Sequence, residues 1–143
     1  MNKKEIIVYT VGVWDMFHIG HLNILKAAKA LGNKLIVGVN TDELVLEYKG
    51  HKPLVCFEDR IAVVQACRYV DLAIPATSLE KDKLLHDLDI DILVHGDDKR
   101  ILGHEFMMKN NRRVIYLPYT KERSSTILRN TLLRYYDEQR KVR

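Results

Sequence analysis

Two histidines three positions apart are the residues of this chain whose spacing best fits catalysis. His18 and His21 stand in the segment His18-Ile19-Gly20-His21, where a helix is expected to begin. On the first turn of a helix both imidazoles can face one phosphate, and two hydrogen-bond donors there can stabilise the charge of a reacting phosphoryl group. A surface pair or a metal-binding pair would use the same spacing, but the preceding strand and the nearby glycines favour phosphate chemistry.

The loop that leads into these histidines follows an apolar run, Ile6 to Val11, that is typical of a strand. Ligands of open α/β sheets bind beyond the carboxyl ends of the strands, so this loop is expected to line the site. Its glycines let the backbone turn closely and leave room for an anion near the helix N-terminus. The candidate residues here are Gly12, Val13, Trp14, Asp15 and Gly20. An aromatic side chain in such a loop packs more often than it stacks on a base.

Basic residues in the first half of the chain suit a phosphorylated ligand. Lys49 and Lys52 lie in a polar loop after the second apolar run. Arg60 and Arg68 are eight apart on one predicted helix and therefore share a face, and Asp71 follows where the next strand starts. A salt-bridge network with this aspartate is the structural alternative, and an exposed one would contribute little stability.

Two segments of the second half also follow predicted strands. The segment His95-Gly96-Asp97-Asp98 comes after the fourth apolar run, and its aspartates could equally form a turn and a helix cap. Further on, Ser124 is predicted to cap the last helix. A helix N-terminus with hydroxyls and cations beside it also binds phosphates well. The residues that offer these groups are Thr120, Lys121, Arg123, Ser124, Ser125 and Thr126.

Five strand-like runs alternating with helical patterns must position these segments. The runs are Ile6 to Val11, Leu35 to Val39, Leu72 to Ile74, Ile90 to Val94 and Val114 to Leu117. They are continuously apolar, as strands covered on both faces require. Helices are predicted from the histidine pair to Leu31, at about 58–68 and 79–87, near 105, and from about 124 into the high 130s. The sequence therefore predicts a single Rossmann-like α/β domain over residues 1–143, with a five-stranded parallel sheet flanked by helices on both faces.

Composition and charge narrow the class of protein. The chain has 143 residues, of which 47% are hydrophobic and 29% charged, and this excludes intrinsic disorder. No apolar run approaches the length of a membrane span, and the two cysteines lack a metal-binding spacing, so a cytoplasmic protein is expected. Residues 109–143 carry 10 basic and 3 acidic side chains, a net charge of +7. This segment suits an anionic partner or forms a solvated basic helix face.

Together these segments resemble a known enzyme family. The His18-to-His21 segment is similar to the HxGH signature of the nucleotidyltransferase superfamily. The other matching segments fall in the order and spacing of the cytidylyltransferases that activate phosphorylated alcohols: Asn40-Thr41-Asp42-Glu43, Glu58-Asp59-Arg60, Arg68-Tyr69-Val70-Asp71, His95-Gly96-Asp97-Asp98 and Ser124-Ser125-Thr126. Within that family the chain most resembles the bacterial glycerol-3-phosphate cytidylyltransferases, and next the ethanolamine- and choline-phosphate enzymes.

The resemblance implies a reaction and a role for each matching residue. An oxygen of the acceptor phosphate attacks the α-phosphorus of CTP in line, pyrophosphate leaves, and a CDP-alcohol forms. The implied catalytic residues are His18, His21, Lys49 and Arg123. The implied acceptor-binding residues are Lys52, Arg60, Arg68 and Asp71. The implied nucleotide-binding residues are Gly12, Val13, Trp14, Asp15, Gly20, His95, Gly96, Asp97, Thr120, Ser124, Ser125 and Thr126.

The resemblance also sets expectations about partners. Mg²⁺ is expected to bind through the CTP phosphates rather than in a protein metal site. A homodimer is expected, with no nucleic-acid partner and with a CDP-alcohol product of the kind used in cell-surface polymers. Tyr119 and Glu122 stand where the family has arginine and glycine, so either Lys121 or Arg123 would supply the missing cation. The alternatives are an adenylyltransferase similar to FAD synthases and a non-catalytic module that binds nucleotide or nucleic acid.

Overall fold

Strands and helices alternate along most of the chain in the computed structural model, which describes residues 5–120 and 124–142. The strands are β1 (Ile7–Gly12), β2 (Lys34–Asn40), β3 (Leu72–Ala76), β4 (Ile92–Gly96) and β5 (Arg113–Leu117). The helices are α1 (Ile19–Lys29), α2 (Asp42–Lys49), α3 (Phe57–Ala66), α4 (Asp82–Asp87), α5 (His104–Lys109) and α6 (Ser125–Val142).

The sheet has the order β3-β2-β1-β4-β5, and every neighbouring pair of its strands is parallel. This confirms the predicted five-stranded parallel α/β architecture. The direction of winding reverses between β1 and β4, which opens a crevice at the carboxyl ends of these two strands. The loop with the histidine pair and the loop that follows His95 therefore lie next to each other.

Helices cover both faces of the sheet, as predicted. On one face Val8 of β1 packs in a buried cluster with Leu25 of α1. On the other face Tyr9 packs with Leu85 of α4 and Met107 of α5. Consecutive residues of one strand thus enter opposite cores, which explains why the strand sequences are uniformly apolar. Each such side chain contributes about 1.5–3 kcal/mol when it is fully buried.

The helix α2 occupies part of a segment that was predicted as a loop. The Thr41 hydroxyl accepts a hydrogen bond from Leu44 N at 3.2 Å and caps the helix, which ends at Gly50 in the left-handed conformation with φ 82°. Threonine before acidic residues, with glycine after the last turn, is a sequence signal that predicts this helix. Lys49 therefore lies in the last helical turn rather than in the predicted loop, while Lys52 follows the helix.

Other boundaries differ by a few residues. The helix α4 begins at Asp82, whereas the pattern predicted a start near Leu79. The last helix places Leu128, Leu132 and Tyr136 on one stripe, and all three side chains are exposed. No helix within the described ranges is long and apolar enough to cross a membrane.

Candidate active site

A cavity of about 630 Å³ opens at the carboxyl ends of β1 and β4. The predicted site residues that line it are Gly12, Val13, Trp14, Asp15, His21, Lys49, His95, Gly96, Ser124, Ser125 and Thr126. Those that do not line it are His18, Gly20, Lys52, Arg60, Arg68, Asp71, Asp97 and Thr120. Arg123, like its neighbour Lys121, lies outside the described residues.

The histidine pair caps the N-terminus of α1. His18 Nδ1 accepts a hydrogen bond from Gly20 N at 3.0 Å, and His21 Nδ1 accepts one from His18 N at 3.2 Å. The two rings lie 3.9 Å apart between centroids. Because each Nδ1 accepts from the backbone, the proton of each neutral ring is on Nε2. His21 lines the cavity, and His18 lies beside it through this ring contact.

Burial keeps both histidines neutral. It lowers the pKa of His21 to about 4, with a smaller contribution in the same direction from His18. Burial also lowers the pKa of His18. Near pH 7 the pair therefore donates hydrogen bonds as uncharged imidazoles, each through one N–H group.

The loop between β1 and α1 is anchored from within. Trp14 is buried, its Nε1 donates to Gly38 O at 2.9 Å, and its ring meets that of His21 edge-on at 5.4 Å. The Asp15 carboxylate accepts hydrogen bonds from Leu54 N and Val55 N, both at 2.9 Å. Trp14 and Asp15 therefore act mainly as supports that fix the loop beneath the histidines.

Arg60 does not face the cavity, which corrects its predicted role in acceptor binding. Only 1% of this residue is exposed, and its guanidinium donates to Val55 O, Val13 O and Asp42 Oδ1 at 2.9, 2.6 and 2.7 Å. A buried charge needs such partners. Burial raises the pKa of Asp42, but the hydrogen bonds from Arg60 and Phe57 N and the nearby positive charges together outweigh it, so the net pKa is lowered. Arg60 is thus a positioning residue for the loop.

Arg68 and Asp71 lie at the opposite edge of the sheet from the cavity, so the structure also corrects their predicted role in acceptor binding. Asp71 precedes β3 and accepts hydrogen bonds from Leu35 N at 2.7 Å and Lys29 Nζ at 2.5 Å. The exposed Arg68 lies over the ring of Tyr69. Asp71 thus ties β2 and α1 together at the amino ends of the strands.

Lys49 brings a cation to the cavity from the end of α2. Burial lowers its pKa, and the nearby charges of Arg129 and Lys99 lower it further. Lys52 is exposed and lies outside the lining. Of the two lysines that the sequence suggested, the structure therefore brings Lys49 to the site.

The loop after β4 forms another wall. His95 lines the cavity, and burial lowers its pKa. Tyr119 Oη donates to Asp98 Oδ1 at 3.2 Å, and its ring lies where a β-carbon on Gly96 would be. Burial, followed by the nearby carboxylates, raises the pKa of Tyr119 to about 12, so this phenol stays protonated. Gly96 is required here because any side chain would displace that ring.

The N-terminus of α6 completes the site. Ser124 Oγ accepts a hydrogen bond from Ile127 N at 3.1 Å and acts as the predicted cap. Ser125 Oγ donates to Asp15 O, which ties α6 to the loop before α1. Thr120 instead accepts a hydrogen bond from Asn23 at 2.9 Å and lies outside the lining.

Sequence reasoning missed several cations of the cavity. Arg129 lines it one turn into α6, with Nη1 at 3.6 Å from Asp15 Oδ2. The sequence could have indicated Arg129, because it follows Ser125 by four residues and therefore lies on the same face of the predicted helix. Lys81, Lys99 and Arg100 also line the cavity. Among the residues that the structure describes, no group of three or more His, Cys, Asp or Glu side chains could hold a metal ion.

Several curated proteins are similar to this chain in sequence. Ethanolamine-phosphate cytidylyltransferase of Dictyostelium discoideum is 44% identical over 73% of the chain, which spans 29% of that longer protein. Glycerol-3-phosphate cytidylyltransferase of Bacillus subtilis is 36% identical, with 90% of this chain and 97% of that protein covered. FAD synthase of Thermococcus sibiricus is 37% identical, with 82% and 84% covered.

A solved structure and a family model also match this chain. The crystal structure of the lipopolysaccharide core biosynthesis protein from Thermoplasma volcanium superposes with a TM-score of 0.69 at 29% identity, covering 81% of this chain and 99% of that one. The cytidylyltransferase-like family model matches residues 9–131, a range that includes the histidine pair and the cavity. The chain therefore belongs to the cytidylyltransferase-like family and is a nucleotidyltransferase.

Proposed function

We propose that this enzyme transfers CMP from CTP to the phosphate of a small phosphorylated alcohol such as glycerol 3-phosphate, forming a CDP-alcohol and pyrophosphate. The observation that carries the proposal is the pair of neutral histidines, His18 and His21, fixed by backbone hydrogen bonds beside a cavity lined with cations. The names of the Bacillus and Dictyostelium relatives support this class of acceptor.

The reaction needs positioning and charge stabilisation rather than a covalent enzyme intermediate. An oxygen of the acceptor phosphate forms a bond to the α-phosphorus of CTP while the bond from that phosphorus to the bridging oxygen of pyrophosphate breaks. The Nε2–H groups of His18 and His21 would donate to the oxygens that gain charge. Lys49 and Arg129 would offset the charge of the triphosphate, and the N-terminus of α6 would bind its outer phosphates.

A Mg²⁺ ion would be carried by the nucleotide rather than by a protein metal site. Asp15, the buried carboxylate of the cavity, accepts two backbone N–H groups and is not open to a cage of protein ligands. Phosphate oxygens and water would then hold the cation, which would neutralise part of the triphosphate charge.

Adenylyl transfer to FMN is the second candidate, because a FAD synthase is among the relatives. Cytidylyl transfer is favoured by the family match and by the Bacillus relative, whose length the chain covers to 97%. The first candidate uses CTP and the second uses ATP, so the nucleotide that the enzyme consumes distinguishes them.

The test is pyrophosphate release by the purified protein with Mg²⁺, each nucleoside triphosphate and a panel of phosphorylated alcohols. We expect release with CTP and one acceptor, and its loss in His18→Ala. His86→Ala is the matched control, because His86 is an exposed histidine outside the cavity. Release with ATP and FMN alone would move the enzyme to the adenylyl class. Salt-dependent RNA binding without any turnover would favour a binding module.

We also expect a homodimer in solution, as is usual in the family that the sequence resembles. The basic C-terminal segment is not expected to bind nucleic acid in this assembly. Light scattering at micromolar concentration measures the mass directly, and a value near the 16.7 kDa of one chain would contradict the dimer.

A further inference from the structure

Lys81 is a buried lysine at the cavity that the proposed reaction does not yet use. Only 6% of this residue is exposed, although lysine is among the residues least often buried. Its ammonium has three donors, and the described residues give it one hydrogen bond, to Leu79 O at 2.6 Å. No carboxylate of the described residues forms an ion pair with it.

The packing around Lys81 holds the side chain in place. A β-carbon on Gly103 would lie 3.0 Å from Lys81 Cγ and 2.9 Å from Leu85 Cδ1, so the stem of the lysine runs directly past this glycine. Gly103 has φ 104°, a conformation that favours glycine. The fold therefore fixes the aliphatic stem of Lys81 by close packing, and the residue lines both this cavity and a smaller neighbouring one.

Lys81 and the histidine pair lie on different sides of the sheet. Lys81 lies between β3 and α4 and packs toward α5, on the sheet face opposite α1, which carries His18 and His21. Lys81 is near enough to His95 for its charge to lower the pKa of that histidine, after the larger effect of burial. The apolar side chains of Leu79, Ile101 and Leu102 line the same cavity.

The charged side chains that line the cavity are mostly cations. The lining contains Lys49, Lys81, Lys99, Arg100 and Arg129 against the carboxylates Asp15 and Asp98. Asp15 already accepts two backbone hydrogen bonds, and Asp98 accepts one from Tyr119. Burial lowers the pKa of Lys81 by more than the nearby carboxylates of Glu80 and Asp82 raise it, so the net pKa is lowered. A negatively charged group of a ligand would relieve the cost of burying this charge.

We propose that Lys81 is a specificity-determining residue that binds a second anionic group of the acceptor, one that is separate from the phosphate that reacts. This inference rests on the proposed function and refines its substrate class to phosphorylated alcohols that also carry a carboxylate or a further phosphate. An acceptor with a cationic end, such as phosphoethanolamine, is selected against, since two positive charges would meet in a site of low dielectric constant.

The experiment compares three acceptors that differ mainly at the far end. These are 3-phosphoglycerate with a carboxylate, glycerol 3-phosphate with a hydroxyl, and phosphoethanolamine with an ammonium. The wild-type enzyme is expected to have a kcat/KM for 3-phosphoglycerate about tenfold or more above that for glycerol 3-phosphate. Lys81→Met should remove this preference through KM and leave the value for glycerol 3-phosphate within about threefold.

Lys83→Met is the matched control, because Lys83 is two residues away, fully exposed and outside the main cavity. It should leave the preference unchanged. Equal use of 3-phosphoglycerate and glycerol 3-phosphate by the wild-type enzyme would overturn the inference, as would an equal loss on all acceptors in Lys81→Met. If Lys81→Met does not fold, the wild-type preference still decides.

A complete lack of turnover would count against the proposed function rather than against Lys81. Calorimetric binding of 3-phosphoglycerate and of glycerol 3-phosphate to the wild-type protein then tests the lysine by itself. Tighter binding of 3-phosphoglycerate, lost in Lys81→Met, supports the inference, and equal binding of the two overturns it.

Discussion

Arg60 Nη2 lies 2.7 Å from Asp42 Oδ1, and this pair joins α3 to the start of α2 behind the loop that carries the histidine pair. The arginine side chain is fully buried. The same guanidinium donates to Val13 O, in the loop before α1, and to Val55 O, in the loop before α3. Arg60 thus connects α2 and the loops before α1 and α3 through one buried guanidinium.

Arg60→Met is expected to lower the free energy of unfolding by about 3 kcal/mol, because it leaves a carboxylate and two carbonyl groups without their donor. Activity should fall as well, since the loop loses its anchor. Urea unfolding followed by circular dichroism measures the change. Arg68→Met removes an exposed arginine of the same segment and should cost less than about 0.5 kcal/mol. Equal stability of the two variants would contradict this role for Arg60.

The sequence predicts the residues of the histidine motif better than it predicts the buried charged residues around them. The position of His18 and His21 after a strand predicts a site at the carboxyl ends of the strands, and the structure has its main cavity there, lined by His21. The buried Arg60 and Lys81 could not be placed in this way, because sequence patterns assign charged side chains to the surface. Arg60 and Arg68 share a helix face by spacing, yet the structure buries one and exposes the other. The reason is that α3 ends at Ala66 and Cys67 is already extended, so Arg68 lies beyond the helix and does not share its face with Arg60.

The buried His21 should make the protein less stable in mild acid. The unfolded imidazole takes up a proton below about pH 6.5, whereas in the folded protein burial lowers the pKa to about 4. As the pH falls between these values, the unfolded state binds a proton that the folded state does not. The free energy of unfolding therefore decreases, by about 2 kcal/mol between pH 7.5 and pH 5.

Urea titrations of the wild type and His21→Asn at both pH values measure this contribution. The variant should lose less stability on acidification, by about the same 2 kcal/mol. Parallel losses in the two proteins would show that other groups cause the effect. Between pH 6 and pH 8 His21 stays neutral, so it should add no titration step to kcat/KM.

Gly96 and Tyr119 are predicted to act as a unit. A β-carbon at position 96 would lie 2.5 Å from Tyr119 Oη, so Gly96→Ala must displace the ring and its hydrogen bond to Asp98. We expect the KM for CTP to rise about fivefold, with a stability loss below about 1 kcal/mol because Tyr119 is half exposed and can move. In a double-mutant cycle, Gly96→Ala should cost less when Tyr119 is already alanine. Additive effects would show that the two residues are not coupled.

Arg129 is expected to be the cation of α6 that binds the nucleotide. It lines the cavity one turn after Ser125 and lies 3.6 Å from Asp15, so its guanidinium is already directed at the loop beneath the histidines. Arg129→Met should raise the KM for CTP about tenfold, the usual effect of losing one hydrogen bond to a charged group. Arg134→Met removes an exposed arginine from the same helix and is the matched control. Initial rates at varied CTP concentration measure both variants. Equal KM values for the two would assign the phosphates to other residues, because α6 would then contribute only its backbone N–H groups and hydroxyls.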